Sequence, residues 1–143
     1  MMESIKEVLD NGTVQYTNEK GLLHRTDGPA LQFVDGTNVY YNNGKMHRTD
    51  GPAIEMSDGT KVYYVDNIKH RTDGPAVDDS EGNKEYWVNG KLHREDGPAV
   101  IFSDGIMHYY NNGELLYIET PQGKKTYYNS LSAGNEPTVA SLH

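Results

Sequence analysis

Four His-Arg pairs carry the side chains in this sequence best equipped for chemistry: His24-Arg25, His47-Arg48, His70-Arg71 and His93-Arg94, each 23 residues after the last. Each pair is followed by x-Asp-Gly-Pro-Ala, which places Asp27, Asp50, Asp73 and Asp96 in the same register. Imidazole, guanidinium and carboxylate within four residues are the groups of a metal centre, an acid–base pair or an anion site. A metal centre is opposed by distance. Equivalent residues of neighbouring units lie two or three strands apart, on the order of 10–14 Å at ~4.8 Å per strand, whereas zinc draws its nitrogens to within about 2.1 Å of one point. Acid–base catalysis calls for one asymmetric pocket, and this motif is copied four times. The expectation is therefore no metal, no cofactor and no enzyme. The histidines then pack beside tyrosines such as Tyr40, with their polar edges bonded to a turn. The aspartates bond backbone N–H groups of their own turns, and an arginine such as Arg25 bridges to a neighbouring unit.

The elements that hold these groups follow from the rest of the period. A second set of turns lies at Asp35-Gly36, Asp58-Gly59, Glu81-Gly82 and Asp104-Gly105. A third lies at Asn43-Gly44, Asn89-Gly90 and Asn112-Gly113, with Asp66-Asn67 standing in once. Asp-Gly and Asn-Gly supply the positive φ angles of two-residue hairpin loops. The first unit accordingly reads as strands near 30–34, 37–42 and 45–48, and Pro29, Pro52, Pro75 and Pro98 mark strand starts. Short connections throughout predict an all-β fold, an elongated antiparallel meander of tandem 23-residue hairpin repeats in a single sheet. A two-residue loop at 35–36 sets Leu31 opposite Tyr40, and one at 43–44 sets Tyr40 opposite His47. The expected core face then carries Leu31, Phe33, Tyr40 and His47, repeated as Ile54, Met56, Tyr63 and His70, as Val77, Tyr86 and His93, and as Val100, Phe102 and Tyr109. Ala30, Ala53, Ala76 and Ala99 fall on the other, partly wet face. The whole of 1–143 reads as one repeat domain. Residues 1–9 form an N-terminal cap, with a short helix or lead-in strand over 3–10, residues 10–128 form the repeats, and 129–143 a loose tail. Where the period calls for a fifth His-Arg, the chain has Leu116-Tyr117.

Composition agrees with that reading. Hydrophobic residues make up 35% of 143, while there are 15 glycines and 11 tyrosines, a mixture suited to short strands and frequent reversals. Cysteine is absent, so neither disulfides nor thiolate sites hold the fold. The net charge of −8, from 21 acidic and 13 basic residues, disfavours phosphate backbones and anionic lipid and suits a basic partner. No apolar run approaches the ~18 residues of a membrane span, and Met1-Met2-Glu3-Ser4 does not open a signal-peptide core. A cytoplasmic protein, without nucleic-acid or membrane partners, is expected.

A 23-residue hairpin unit with an aromatic followed by x-x-Gly resembles MORN-type repeats in their divergent form. The block Asp-Gly-x-x-x-Tyr-Tyr-x-Asn-Gly-Lys-x-His-Arg-x-Asp-Gly-Pro-Ala is also similar to the His-Arg-x-Asp-Gly-Pro-Ala repeat proteins of bacteriophages, giant viruses and some bacteria. The likeness covers residues 10 to about 128. It implies a scaffold that binds proteins rather than a catalyst. The viral likeness implies a small protein that engages or inhibits a host factor, in the host cytoplasm. The usual MORN unit has His-Gly-x-Gly where this chain has His-Arg-x-Asp-Gly-Pro, a departure at the position from which lipid binding would be inferred.

The second aromatic of each pair is the leading binding candidate. Tyr41, Tyr64, Trp87 and Tyr110 recur as a stripe, and exposed aromatics offer large contact area at low entropic cost. The same stripe also serves as cross-strand packing. Asp78 and Glu85 crowd around Trp87, where the units depart most from one another, so residues 78–88 are where a specific site would be written. A protein partner, basic in character, is the expected occupant. A small-ligand or nucleotide-binding sponge that uses the arginines and turn amides is the alternative, although no Gly-x-Gly-x-x-Gly or Walker pattern is present. Edges of such an array can pair between chains, leaving the oligomeric state open and a dimer among the options.

Overall fold

The computed structural model describes residues 4–129 and 138–142, with side chains through residue 128. Every regular element among them is a strand. The chain divides into two compact units, Met1–His70 and Arg71–His143.

In the first unit the strands are β1 (Ile5–Val8), β2 (Val14–Thr17), β3 (Leu31–Gln32), β4 (Asn38–Val39), β5 (Tyr41–Asn42), β6 (Lys45–Met46), β7 (Ile54–Glu55), β8 (Lys61–Val62), β9 (Tyr64–Val65) and β10 (Ile68–Lys69). An antiparallel meander runs β1-β2-β3-β4-β7-β8, while β5-β6 and β9-β10 are separate two-stranded hairpins. The second unit holds β11 (Val77–Asp78), β12 (Lys84–Glu85), β13 (Trp87–Val88), β14 (Lys91–Leu92), β15 (Val100–Ile101), β16 (Met107–Asn111), β17 (Glu114–Glu119), β18 (Lys125–Asn129) and β19 (Thr138–Leu142). Its meander is β11-β12-β15-β16-β17-β18-β19, with β13-β14 as the separate hairpin. The lead-in expected over 3–10 is thus a strand. The tail expected to be loose lies outside the described residues at 130–137 and 143, and within it Thr138–Leu142 pairs with β18.

The two kinds of turn differ, and the difference corrects the expected register. Asn43, Asn89 and Asn112 have φ near 50°, and the glycine after each is also positive, as are both Asp66 and Asn67. These are the expected two-residue loops, and Asn42 pairs with Lys45. The Asp-Gly turns are one residue longer. Phe33 N–H donates to Thr37 C=O (2.9 Å) and Gly36 N–H donates to Phe33 C=O (3.0 Å), closing a loop of Val34, Asp35 and Gly36. The Asp35 carboxylate accepts the Thr37 N–H at 2.8 Å, and only Gly36 takes a positive φ, 96°. An aspartate bonded two residues ahead stays right-handed and leaves the left-handed position to glycine, which gives a three-residue loop with a bulge. Leu31 therefore faces Val39, not Tyr40. The same holds for Ile54 with Val62, Val77 with Glu85, and Val100 with His108.

That one-residue slip moves the core. Ala30, Ala53, Ala76 and Ala99 are fully covered, joined by Val39, Val62 and Val100, whereas Phe33 and Met56, placed in the core by sequence, are each 41% exposed. No large side chain among the described residues is completely buried. The strand expected over 37–42 also divides. Tyr40 donates its N–H to the Ala53 carbonyl (2.7 Å) and accepts the His47 N–H on its own carbonyl (3.0 Å), so it is the corner at which β4 leaves the meander and the β5-β6 hairpin begins. Tyr86 is the same corner, bonded to Ala99 and His93.

Candidate functional site: grooves between the His-Arg-x-Asp-Gly motifs

Each motif is built around its arginine. Arg48 Nε donates to Asp50 Oδ1 at 2.9 Å and Nη1 donates to the Pro52 carbonyl at 3.1 Å. Its Cζ lies 3.9 Å from the centre of the Tyr40 ring. Gly51 covers the other side, for a Cβ there would sit 2.9 Å from the same Cζ. The guanidinium is thus held flat between a tyrosine face and a glycine. Arg25 repeats the arrangement with Asp27, Pro29, Tyr16 and Gly28, and Arg94 with Pro98, Tyr86 and Gly97. Arg71 bonds Asp73 and the Pro75 carbonyl, with Gly74 as close. Glycine is required here for close approach and not for a left-handed backbone. Burial pulls the pKa of Arg48 down, but hydrogen bonding to Asp50 and the charges of Tyr40, Glu55 and Asp50 outweigh it, so it stands above the ordinary value. Hydrogen bonding and charge from Arg71 hold Asp73 below the usual carboxylate range.

Three of the histidines accept a backbone N–H on the ring. Nδ1 of His24 accepts the Asn43 N–H at 3.0 Å, that of His47 the Asp66 N–H at 3.2 Å, and that of His93 the Asn112 N–H at 2.9 Å. Each ring is therefore bonded to the turn of the following hairpin. The aspartates meet their own arginine side chains, and Asp73 is also bonded to its own backbone N–H, as expected. Besides its own Pro carbonyl, the Arg48 guanidinium reaches Glu55 of the next unit at 3.5 Å. The arginine backbone bridges onward as well, its N–H meeting the carbonyl of Tyr41, Tyr64, Trp87 or Tyr110 at 3.0–3.4 Å.

Between successive motifs lie open grooves. One, of about 470 Å³, runs between His24–Gly28 and His47–Asp50 over Tyr40 and Tyr41. Another, of about 590 Å³, lies between Arg71–Gly74 and His93–Asp96 with Tyr86 and Val88. A third, of about 400 Å³, lies between Arg94–Gly97 and the Leu116-Tyr117 segment. Along them the arginine side chains are only 21–27% exposed, whereas Asp27, Asp50, Asp73 and Asp96 are 83–89% exposed. The electrostatic face of each motif is its carboxylate.

The residues singled out around Trp87 satisfy one another. Trp87 Nε1 donates to Glu85 Oε1 at 2.7 Å, and Lys84 Nζ meets Asp78 Oδ1 at 3.0 Å. Tyr41, Tyr64, Trp87 and Tyr110 are all partly buried, and Tyr41 and Tyr110 line grooves. Tyr16 was missed as a stacking partner, because an extra residue in the first hairpin puts it nine residues before Arg25, where Tyr40 and Tyr86 precede their arginines by eight. Among the described residues no three His, Asp or Glu side chains converge as metal ligands.

Neither a protein-family model nor a curated protein sequence matches the chain. The functional reading rests on the geometry of the grooves.

Proposed function

We propose that this protein is a non-catalytic binding module that holds a basic protein partner along the grooves between its His-Arg-x-Asp-Gly motifs. The observation that carries this reading is the division of labour within each motif: the guanidinium is packed against tyrosine and glycine while the carboxylate stands out in solvent. A repeated series of outward carboxylates beside partly covered tyrosines suits lysine- or arginine-bearing segments, and the net charge of −8 steers such partners to it. Open, repeated grooves suit contact along a surface better than isolation of a reaction from water. With the likeness to viral repeat proteins, the partner would be a host factor that the chain occupies.

The test is affinity capture from extract of the natural source, with the partner then purified and its binding reconstituted. The protein and a variant carrying Asp27→Asn, Asp50→Asn, Asp73→Asn and Asp96→Asn are compared, with Trp87→Ala as a third arm. A folded fourfold variant that loses the partner, together with weakening of the native complex by salt, supports the reading. Equal affinity of both proteins refutes it, as does a thermal-shift response to nucleotides with no protein bound, which would favour the sponge.

A further inference from the structure

The three grooves are not equivalent. Glu95, which lines both the second and the third, stands where the other motifs have Thr26, Thr49 and Thr72, and in the third alone Leu116-Tyr117 stands where the others have His-Arg. The structure turns those two departures into one surface. Glu95 keeps 89% of its side chain exposed, 3.8 Å from His93 Nε2. Asp96 is equally exposed and lies 3.4 Å from Arg94, against 2.9 Å for the aspartate–arginine contacts of the other three motifs. On the far wall Tyr117 takes the place of an arginine and stacks on Tyr109 at 4.1 Å, much as Arg94 stacks on Tyr86 at 4.0 Å. Leu116 beside it is 37% exposed. The groove between Arg94–Gly97 and Tyr109–Tyr117 therefore has two outward carboxylates against one guanidinium, and a tyrosine and a leucine where its counterpart at residues 24–50 has a second guanidinium and an imidazole. Lys125, the cation 5.5 Å from the Tyr117 ring, is paired across the ladder with Glu119.

We propose that this third groove is the anchor point for an arginine side chain of the partner, with Glu95 and Asp96 holding the guanidinium and the tyrosine wall flanking it. The proposal rests on the reading of the grooves given above and adds the guest and the place. The guest reproduces what the chain does with Arg25, Arg48 and Arg94, each held by a carboxylate and a tyrosine together.

The experiment follows backbone amide shifts of the full-length, isotope-labelled protein as an acetylated, amidated Gly-Arg-Gly peptide is added at low salt, with Gly-Glu-Gly as control. Saturable shifts at residues 94–97 and 109–117 are expected with the arginine peptide alone. Glu95→Thr, a change at an exposed position that restores the repeat, should weaken binding by about twofold to fivefold. Glu95→Arg, at a side chain 89% exposed, supplies the groove with the chain's own cation and should abolish the saturable shifts at 94–117. Equal shifts in the 24–50 groove, indifferent to Glu95→Thr, or shifts at 71–74 and 86–88 in place of 109–117, overturn this inference and leave the general reading standing. Absence of shifts in every groove removes both.

Discussion

Replacing Gly51 by alanine should destabilise the protein, although the same change elsewhere usually does the opposite. The φ of Gly51 lies outside the left-handed region, so alanine fits the backbone and would add about 0.4–1 kcal/mol by restricting the unfolded chain. The side chain, however, would place Cβ 2.9 Å from Arg48 Cζ and 3.2 Å from Nε and Nη1. The guanidinium has no room to retreat, because the Tyr40 ring lies 3.9 Å away on its other side. It must leave, losing its bond to the Pro52 carbonyl, roughly 1.5–3 kcal/mol for a charged donor, and its stack on Tyr40, about 0.5–1 kcal/mol. The net cost is roughly 1–3 kcal/mol, or on the order of 5–10 °C in midpoint for a chain of this size. Thermal and urea unfolding followed by far-UV circular dichroism measure it. The decisive comparison is a double-mutant cycle with Arg48→Ala, in which Gly51→Ala should cost nothing or stabilise. If the penalty survives without the arginine, the explanation by guanidinium contact is wrong.

Three further outcomes follow from the same structure. Asp73→Ala should lower the midpoint slightly, and the difference should fade in acid: the Asp73 pKa is depressed, so its contribution is present above the ordinary carboxylate value and is lost as pH falls through the folded value. Parallel melts at pH 7 and pH 3 test this. His108, half covered and edge-on to Phe102 at 5.0 Å, has its pKa lowered by burial. The unfolded state then binds the proton more readily, so stability should decline as pH drops from 6.5 towards the folded value, and urea midpoints of His108→Gln should lose that slope. Ala53→Val, at a position with no exposure, should cost about 1–3 kcal/mol by overpacking, read from the urea midpoint.

The period, the turns and the all-β class were legible because they rest on local chemistry. Asn-Gly reached the positive φ pair at Asn43 and Gly44 as the sequence required. The register was not legible in the same way. Asp-Gly and Asn-Gly look alike as strings, yet Asp35 accepts the N–H of Thr37 and so lengthens its loop by a residue, which transfers the pairing of Leu31 from Tyr40 to Val39. The histidine bonds to turns were foreseen, but their reach into the next hairpin was not, since nothing in His24 names Asn43 as donor. The stack of a guanidinium on tyrosine was not legible, because it depends on where the strand breaks, and that break at Tyr40 is made by hydrogen bonds to Ala53 and His47, 13 and 7 residues further along the chain.

The second unit contains its own comparison for the role of the His-Arg pair. Where His93-Arg94 follows the aromatic pair, Arg94 N–H turns to the Tyr110 carbonyl, and β13-β14 stands apart from the meander. Where Leu116-Tyr117 follows instead, the hairpin stays in the meander: β16 runs unbroken from Met107 to Asn111 and pairs with β17 through a bulge at Tyr109/Tyr110. Tyr117 stacks on Tyr109, then on Tyr127 at 4.8 Å, and the Tyr109 hydroxyl donates to Glu119 at 2.9 Å. Desolvation, followed by that bond to a carboxylate, raises the Tyr109 pKa and keeps the phenol protonated. The turn types are alike in the two cases, with positive φ at Asn89-Gly90 and Asn112-Gly113. What separates them is the pair that follows, together with the Gly-Pro-Ala segment that accepts the guanidinium. The motif is thus the device that lifts a hairpin out of the meander and, in doing so, sets a carboxylate on the rim of the groove beside it.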